Sequence, residues 1–262
     1  MEQATQITKT RHVLDEQGRD SDGVDLRAAL LPQLAGLEDR YDAGVHDSVP
    51  PNTATKLRGD STEKWAGSLR IFKSDWLEVM SHIPWQLVLI VWVPIVVALF
   101  AGAHYGYDLA LGPALAWCAL GAFVWTLVEY SLHRWIFHYK PRSRFGRKFH
   151  FLAHGIHHLD PWDGTRLVFP PLPGLMIAGL IFLAMRLALP MPEALACMSG
   201  LLIGYIAYDM THYYTHHAKP KSRWGKFLKR YHLAHHHKAW EAMYGVSQPL
   251  WDIVFRTTEP RE

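Results

Sequence analysis

Cysteine is scarce: the 262 residues contain only Cys118 and Cys197, far apart in sequence and each inside an apolar run. That argues against a disulfide-stapled scaffold or a thiolate metal site, and both read as small core residues. The chain also lacks the charged-then-apolar start of a signal peptide, so no cleaved leader is expected. Apolar periodicity is nearly absent from residues 1–80, which carry charges of both signs. Such a stretch cannot bury enough apolar surface to offset its ordering entropy, and a largely disordered polar tail is expected there. No nucleic acid is expected among the partners.

Charge is what the next part lacks. A mean hydropathy of -0.05 conceals four apolar runs with few ionisable residues. They are "PWQLVLIVWVPIVVALFAG" from Pro84, "LGPALAWCALGAFVWTLVEYSL" from Leu111, "PLPGLMIAGLIFLAMRLAL" from Pro171 and "LACMSGLLIGYIAYDMTHYY" from Leu195. Each is close to the ~20 helical residues that cross ~30 Å of hydrocarbon. The connections "AHYGYDLA" and "PMPEA" are short, which pairs the runs into two hairpins. Of 27 Lys and Arg, 10 precede the first run, 7 lie between the hairpins, 9 follow the fourth run, and Arg186 alone falls elsewhere. A soluble helical bundle has no reason to sort its cations this way. The positive-inside rule puts both termini and the middle segment in the cytoplasm. The expected fold is all-α and integral to the membrane: four transmembrane helices in two hairpins under a cytoplasmic helical cap. The expected organisation is a tail over 1–80, a membrane domain over 81–258 and a short tail over 259–262.

Histidine is abundant, and its placement is ordered. Thirteen of 17 histidines lie between His133 and His237, at or beyond the cytoplasmic ends of the second and fourth runs. His138 and His216 differ by 78 positions, as do His154 and His232, His157 and His235, and His158 and His236; His133 and His212 differ by 79. The unit is a span, a pair H-x(3 or 4)-H, fifteen residues, then H-x-x-H-H. Its recurrence is an internal repeat. His12, His46, His82 and His104 fall outside it and read as solvated or interfacial. His150, His217 and His237 border it and read as supporting or surface residues.

On a helix, positions three and four apart share a face, so His154 can aim with His157 or His158, His212 with His216, and His232 with His235 and His236. Neutral imidazole is a common ligand for zinc and iron. Two such units about an approximate two-fold axis would make adjacent metal sites. Loose metal-buffering tracts are unspaced and of low complexity, unlike these. A proton relay would put ionisable groups in mid-span, whereas these histidines sit at span ends. A metal transporter or sensor, or a structural zinc site, stays open as an alternative.

"FHFLAHGIHHLDPWDGTRLVFPPLP", "GYIAYDMTHYYTHH" and "HHHKAWEAMYGVSQPLWDIVF" together resemble the fatty acid hydroxylase superfamily, in particular the fatty acid 2-hydroxylases that act on sphingolipid acyl chains. The resemblance covers about residues 80–258 and extends to Asp163, Arg166, Pro170, Pro171, Asp209, Tyr213, Trp251 and Asp252. It implies a membrane monooxygenase that hydroxylates C2 of an acyl chain, free or in a ceramide-like lipid, with O2 as co-substrate. It also implies two metal ions, one on His133, His138, His154, His158 and His235, the other on His157, His212, His216, His232 and His236. Zinc has been seen in the family, but zinc has no redox chemistry, so iron is expected in the working enzyme. Sterol desaturation and carotenoid or ether-lipid oxidation are the alternative reactions of the superfamily.

An all-imidazole shell brings no negative charge, so nearby carboxylates are expected to orient the rings. Asp209 is favoured, one turn before His212, with Asp160, Asp163, Glu241, Glu129, Asp252 and the neighbouring His150 as further candidates. Many eukaryotic members of the family carry an N-terminal cytochrome b5 domain, but neither His12 nor His46 sits in its His-Pro-Gly-Gly motif. Electrons are therefore expected from a separate cytochrome b5-like protein, ferredoxin or reductase. The basic segments "KPRSRFGRK" and "KPKSRWGKFLKR" suit either an acidic carrier or anionic headgroups. The expected location is a bacterial inner membrane or a eukaryotic endoplasmic reticulum, with the histidines on the cytoplasmic side.

Overall fold

The computed structural model describes residues 72, 75–140, 142–159 and 161–259. The expected tail up to residue 74, apart from Phe72, lies outside the described residues. So do His12, His46, the candidate carboxylate Asp160 and positions 260–262 of the expected C-terminal tail.

Regular structure among the described residues is entirely helical. The helices are α1 (Asp75–Met80), α2 (Trp85–Ala101), α3 (Leu111–Ser131), α4 (Arg144–His150), α5 (Ile156–Leu159), α6 (Pro171–Arg186), α7 (Met191–His217), α8 (Arg223–His237) and α9 (Leu250–Val254). Three π-helical turns interrupt this series: Gly102–Gly106 extends α2, Leu132–Phe137 extends α3, and Phe151–Gly155 joins α4 to α5. α1 falls inside the stretch read from sequence as a polar tail.

Among the described residues, three helices are long and apolar enough to cross a membrane: Trp85–Gly106 with 22 residues, Leu111–Phe137 with 27 and Met191–His217 with 27. The expected fourth span differs. α6 has 16 residues, about 24 Å at about 1.5 Å per residue, short of the ~30 Å core. Prolines set its limits. Pro171 starts it, where a missing N–H costs nothing. At the other end, the Leu187 and Leu189 amides turn back onto Ala184 and Met185 before Pro190, whose ring would disrupt a helix continued past it.

α7 is the centre of the molecule, with α2, α3, α6 and α8 packed around it. Its contact with α3 is backbone against backbone. A Cβ added to Gly200 would lie 1.7 Å from the Cys118 carbonyl oxygen, and one on Gly121 would lie 1.9 Å from that of Cys197. Gly204, one turn on, faces Trp125. Small residues at this spacing let membrane helices approach closely, and packing supplies most of the attraction where lipid is as apolar as leucine. Cys118 and Cys197 are free thiols at this crossing, consistent with small packing residues. Large apolar side chains such as Val97, Phe123 and Leu180 point outward, as expected against lipid. Toward the histidine ends, Tyr205 of α7 packs edge-on to Trp92 (5.2 Å) and Trp125 (5.3 Å), tying α2, α3 and α7 together.

Gly200→Val must push α3 and α7 apart and should cost about 1–3 kcal/mol, lowering the melting temperature in detergent. Gly179→Ala on α6 meets nothing within 4 Å and should leave it unchanged. Equal melting temperatures for the two variants would contradict the close crossing.

Candidate metal centre

α3 and α7 hold equivalent places in the sequence repeat, and their contact brings their histidine-bearing ends together. The one-residue difference between the halves has a structural cause. His133 and His138 are five apart, and the His138 amide donates to the His133 carbonyl (3.1 Å) in the π turn Leu132–Phe137. Their counterparts His212 and His216, four apart, lie on unbroken α-helix. A π turn absorbs one extra residue and keeps both rings on one face.

The same device recurs further along. "PRSRFG" (141–146) and "PKSRWG" (220–225) repeat at an offset of 79. Ser143 and Ser222 cap their helices alike, each accepting from the amide three residues on at 3.0 Å. The histidines that follow are offset by 78, so the first half holds one residue more between cap and His154. The π turn Phe151–Gly155 lies there. The repeat therefore extends beyond the histidines, and the cap motif was a readable signal for it.

Ten imidazoles converge in two groups: His133, His138, His154, His158 and His235, and His157, His212, His216, His232 and His236. Within each group one nitrogen per ring lies within 4.8 Å of all the others. In the first group, neighbouring Nε2 atoms are separated by 3.2 Å (His133–His154), 3.3 Å (His133–His138), 2.9 Å (His154–His158) and 3.0 Å (His138–His235). In the second, the separations are 2.9 Å (His157–His212), 3.0 Å (His157–His236), 2.8 Å (His216–His232) and 3.0 Å (His232–His236). Two nitrogens each about 2.1 Å from one ion and at right angles stand about 3.0 Å apart. Each group thus has the donor type and spacing to hold one metal ion.

Protonation state agrees with that use. Burial, reinforced by neighbouring imidazoles, holds His154, His157, His158, His232 and His236 well below the usual histidine range. Burial lowers His235 to about 4. Neutral rings keep a lone pair for a cation. In two of them the free nitrogen is fixed: His133 Nδ1 donates to the Tyr244 carbonyl (2.5 Å) and His235 Nδ1 to that of Ala242 (2.6 Å). Both Nε2 lone pairs must then face the group.

Those carbonyls belong to a loop held by two buried carboxylates. Asp252 accepts from the amides of Tyr244 (2.9 Å) and Gly245 (2.7 Å) and from the Thr257 hydroxyl (2.8 Å). Glu129 accepts from the amides of Val246 and Ser247, both at 2.8 Å, and from the Ser247 hydroxyl. Four consecutive amides are held in this way. Met243, between the two acceptor carbonyls, is left-handed with φ 59°, a conformation that costs a β-carbon residue roughly 1–2 kcal/mol. Its amide bonds to the Thr257 carbonyl at 2.7 Å.

The other expected supporting residues stand elsewhere. Asp209 does not hold His212, whose Nδ1 has no hydrogen-bond partner. Its carboxylate accepts from the Phe169 amide at 3.4 Å, because one helical turn sets the two side chains side by side rather than end to end. Glu241 is drawn out to an exposed ion pair with Lys140 at 2.5 Å. Asp163 caps its own turn through the Thr165 amide and hydroxyl. His150 lies one turn before His154, outside both groups. His82, expected to be solvated or interfacial, is buried, bonding Thr165 (2.5 Å) and Arg166 (2.9 Å). Arg166 also bonds Glu78 and Ser81, which fastens α1 to the loop before α6.

A cavity of about 620 Å³ adjoins both groups. Trp92, Trp125, Ile177 and Leu201 line its apolar part, and His154, His157 and His212 stand in its wall with Asp209. The volume falls within the usual range of small-molecule sites, roughly 300–1,000 Å³.

A family model described as fatty acid hydroxylase matches residues 118–257, which include all ten histidines. Rat fatty acid 2-hydroxylase is 36% identical over 263 residues, covering 93% of this chain and 66% of that protein. A dihydroceramide fatty acyl 2-hydroxylase of Arabidopsis thaliana is 37% identical, covering 89% of this chain and 92% of its own length. Among solved structures, full-length scs7p, of which only the hydroxylase domain is visible, matches with a TM-score of 0.70 and 34% identity. That match covers 79% of this chain and 76% of the other.

Two outcomes follow from the ring environments. His235 titrates near 4 when folded against 6.5 in an exposed chain, so between those values the unfolded state binds more protons. Stability of the metal-free protein should fall as pH drops from about 6.5 to about 4, by on the order of 3 kcal/mol from this ring alone. Thermal unfolding in detergent across that range checks it; a flat profile would refute it. Second, Asp252→Ala and His235→Ala should each reduce metal content by about half, at the expense of the first group, while His150→Ala leaves it intact. Elemental analysis of the purified variants decides.

Proposed function

The chain belongs to the fatty acid hydroxylase family, and from that premise we propose that it is a membrane-bound dimetal monooxygenase that hydroxylates fatty acyl chains at C2. The alignment spans 66% of the length of the rat and human relatives, so the activity, substrates and partners are proposed for this chain rather than carried over. The observation that carries the reading is that both five-histidine groups reach the wall of one apolar cavity, through His154 and through His157 and His212, among helices long and apolar enough to cross a membrane.

Iron in these sites would supply O2 activation, which side chains cannot provide and zinc does not. The chain's own residues do the rest. The apolar wall receives the acyl tail and excludes water. The substrate's C2 then faces the end of the cavity where His154, His157 and His212 stand. Since C2 is bonded to the carbonyl carbon, the polar head reaches that end too, where Asp209 can accept from an amide N–H or a hydroxyl. The cation distribution favours a cytoplasmic site, which lets a lipid enter sideways while a water-soluble carrier approaches from outside. The balanced reaction joins one oxygen atom of O2 to C2 and reduces the other to water with two electrons and two protons. A separate cytochrome b5-like protein, ferredoxin or reductase would deliver the electrons.

Lipid mass spectrometry of cells with and without the gene tests the reading. A 2-hydroxy acyl species, free or amide-linked, that depends on the gene and disappears in His157→Ala is expected. A changed sterol or carotenoid with no 2-hydroxy lipid would reassign the reaction, and metal movement without any lipid change would make it a transporter.

A further inference from the structure

Each turnover of the proposed reaction consumes two electrons, and the outer face of α8 has the features of an entrance for them. α8 has two unlike sides. Gly225, Leu228, His232, His235 and His236 are buried, whereas Arg223, Trp224, Lys226 and Arg230 are exposed. With Phe227, these four frame a surface groove of about 570 Å³. Between Met210 and Trp240 the sequence contains seven Lys and Arg and no Asp or Glu, so the local field is positive and has no counter-charge nearby in sequence.

The groove also leads inward. The Trp224 ring, 54% exposed, stacks on Phe227 with centroids 5.3 Å apart and planes 27° apart. Phe227 meets Tyr231 at 5.5 Å and 30°. Tyr231 immediately precedes His232 of the second group. A row of three rings thus starts in a basic groove at the surface and runs inward to half-buried Tyr231, the residue before His232 in the chain.

We propose that this groove docks an acidic one-electron carrier protein and that the Trp224–Phe227–Tyr231 row conducts its electrons inward, toward the histidine groups. The proposal rests on the monooxygenase reading. Two successive dockings each oxidise one carrier by one electron, and the pair, with two protons from water, reduces the oxygen atom not inserted into the lipid. Anionic headgroups would also attract arginine and tryptophan, but they give no role to rings stacked inward from the groove. Opposite charge on a carrier accelerates encounter in a salt-sensitive way.

The test uses the full chain, iron-loaded, in phosphatidylcholine vesicles, with a reduced acidic [2Fe–2S] ferredoxin as carrier. Stopped-flow absorbance follows ferredoxin oxidation. The triple variant Arg223→Glu, Lys226→Glu, Arg230→Glu should slow it about tenfold or more at low salt, and the wild-type rate should fall with salt while that of the variant does not. Trp224→Leu should slow electron transfer at saturating ferredoxin, which loss of docking alone would not do. Iron content and single-turnover product from dithionite-reduced protein given O2 should match wild type in both variants. An unchanged ferredoxin rate in the triple variant overturns the proposal. So does a variant that loses only binding to phosphatidylserine vesicles, which would make the groove a membrane contact. Absence of product from dithionite-reduced wild type would instead count against the monooxygenase reading, independently of how ferredoxin behaves.

Discussion

Five imidazoles with nitrogens within 4.8 Å of one another, twice over, can coexist only while they stay uncharged. One proton on any ring would be repelled by its neighbours' protons and would have almost no water to solvate it. The rest of the structure respects this condition. Arg223, Lys226 and Arg230 of α8 are exposed, and Lys229 is drawn to the His216 and Ala218 carbonyls rather than to a ring. Two buried carboxylates, Glu129 and Asp252, spend their charge on loop amides instead of on the rings. Backbone carbonyls, not anions, take the Nδ1 protons of His133 and His235. Such a shell is neutral overall, and in the proposed reading it leaves the full positive charge of the ions to act on what they bind.

Bringing the rings together is the task of the membrane helices. α3 and α7 cross with Gly121 and Gly200 in direct backbone contact, so rings at their ends converge without long reaches. The halves then need matched helical phase. One extra residue per helix would rotate each following ring by about 100° on a regular α-helix. The π turns at Leu132–Phe137 and Phe151–Gly155 absorb those residues in the first half. Both occur beside histidines of the groups, in keeping with the tendency of π turns to mark functional positions.

Much of this was legible in the sequence, because helices convert spacing into direction. The spans follow from the length of the apolar runs and the shared faces of the histidines from spacings of three and four, and the structure gathers the same ten residues. The misses share a cause. Asp209 looked well placed because it lies one turn from His212, yet hydrogen-bond geometry at a ring edge is not set by helical spacing. Glu129 and Asp252 were among the candidate carboxylates, but their route was not readable: Glu129 acts on Val246 and Ser247 more than a hundred positions away, and Asp252 acts through amides whose neighbouring carbonyls meet the rings. Support of that kind passes through a loop, and no local pattern encodes where a loop's carbonyls point. α6 fell short for a related reason: hydropathy continues to Leu189, but the turn before Pro190 ends the helix at Arg186.

The two groups are alike in composition but unlike in setting, and the crossing of the repeat explains why both halves are needed. Each half supplies four rings to one group and one to the other: His157 from the first half completes the second group, and His235 from the second half completes the first. Neither half can gather five rings alone. The loop after α8 then returns to the first half, so Ala242 and Tyr244 steady a ring from each half within the first group. The second group receives no such support from that loop. It contributes two rings, His157 and His212, to the cavity wall, where the first contributes only His154. A duplicated unit accounts for the shared ligand pattern, whereas the unduplicated loop and the cavity make the two positions chemically distinct. In the proposed reading, substrate contact therefore falls more heavily on the second group, and rigid support on the first.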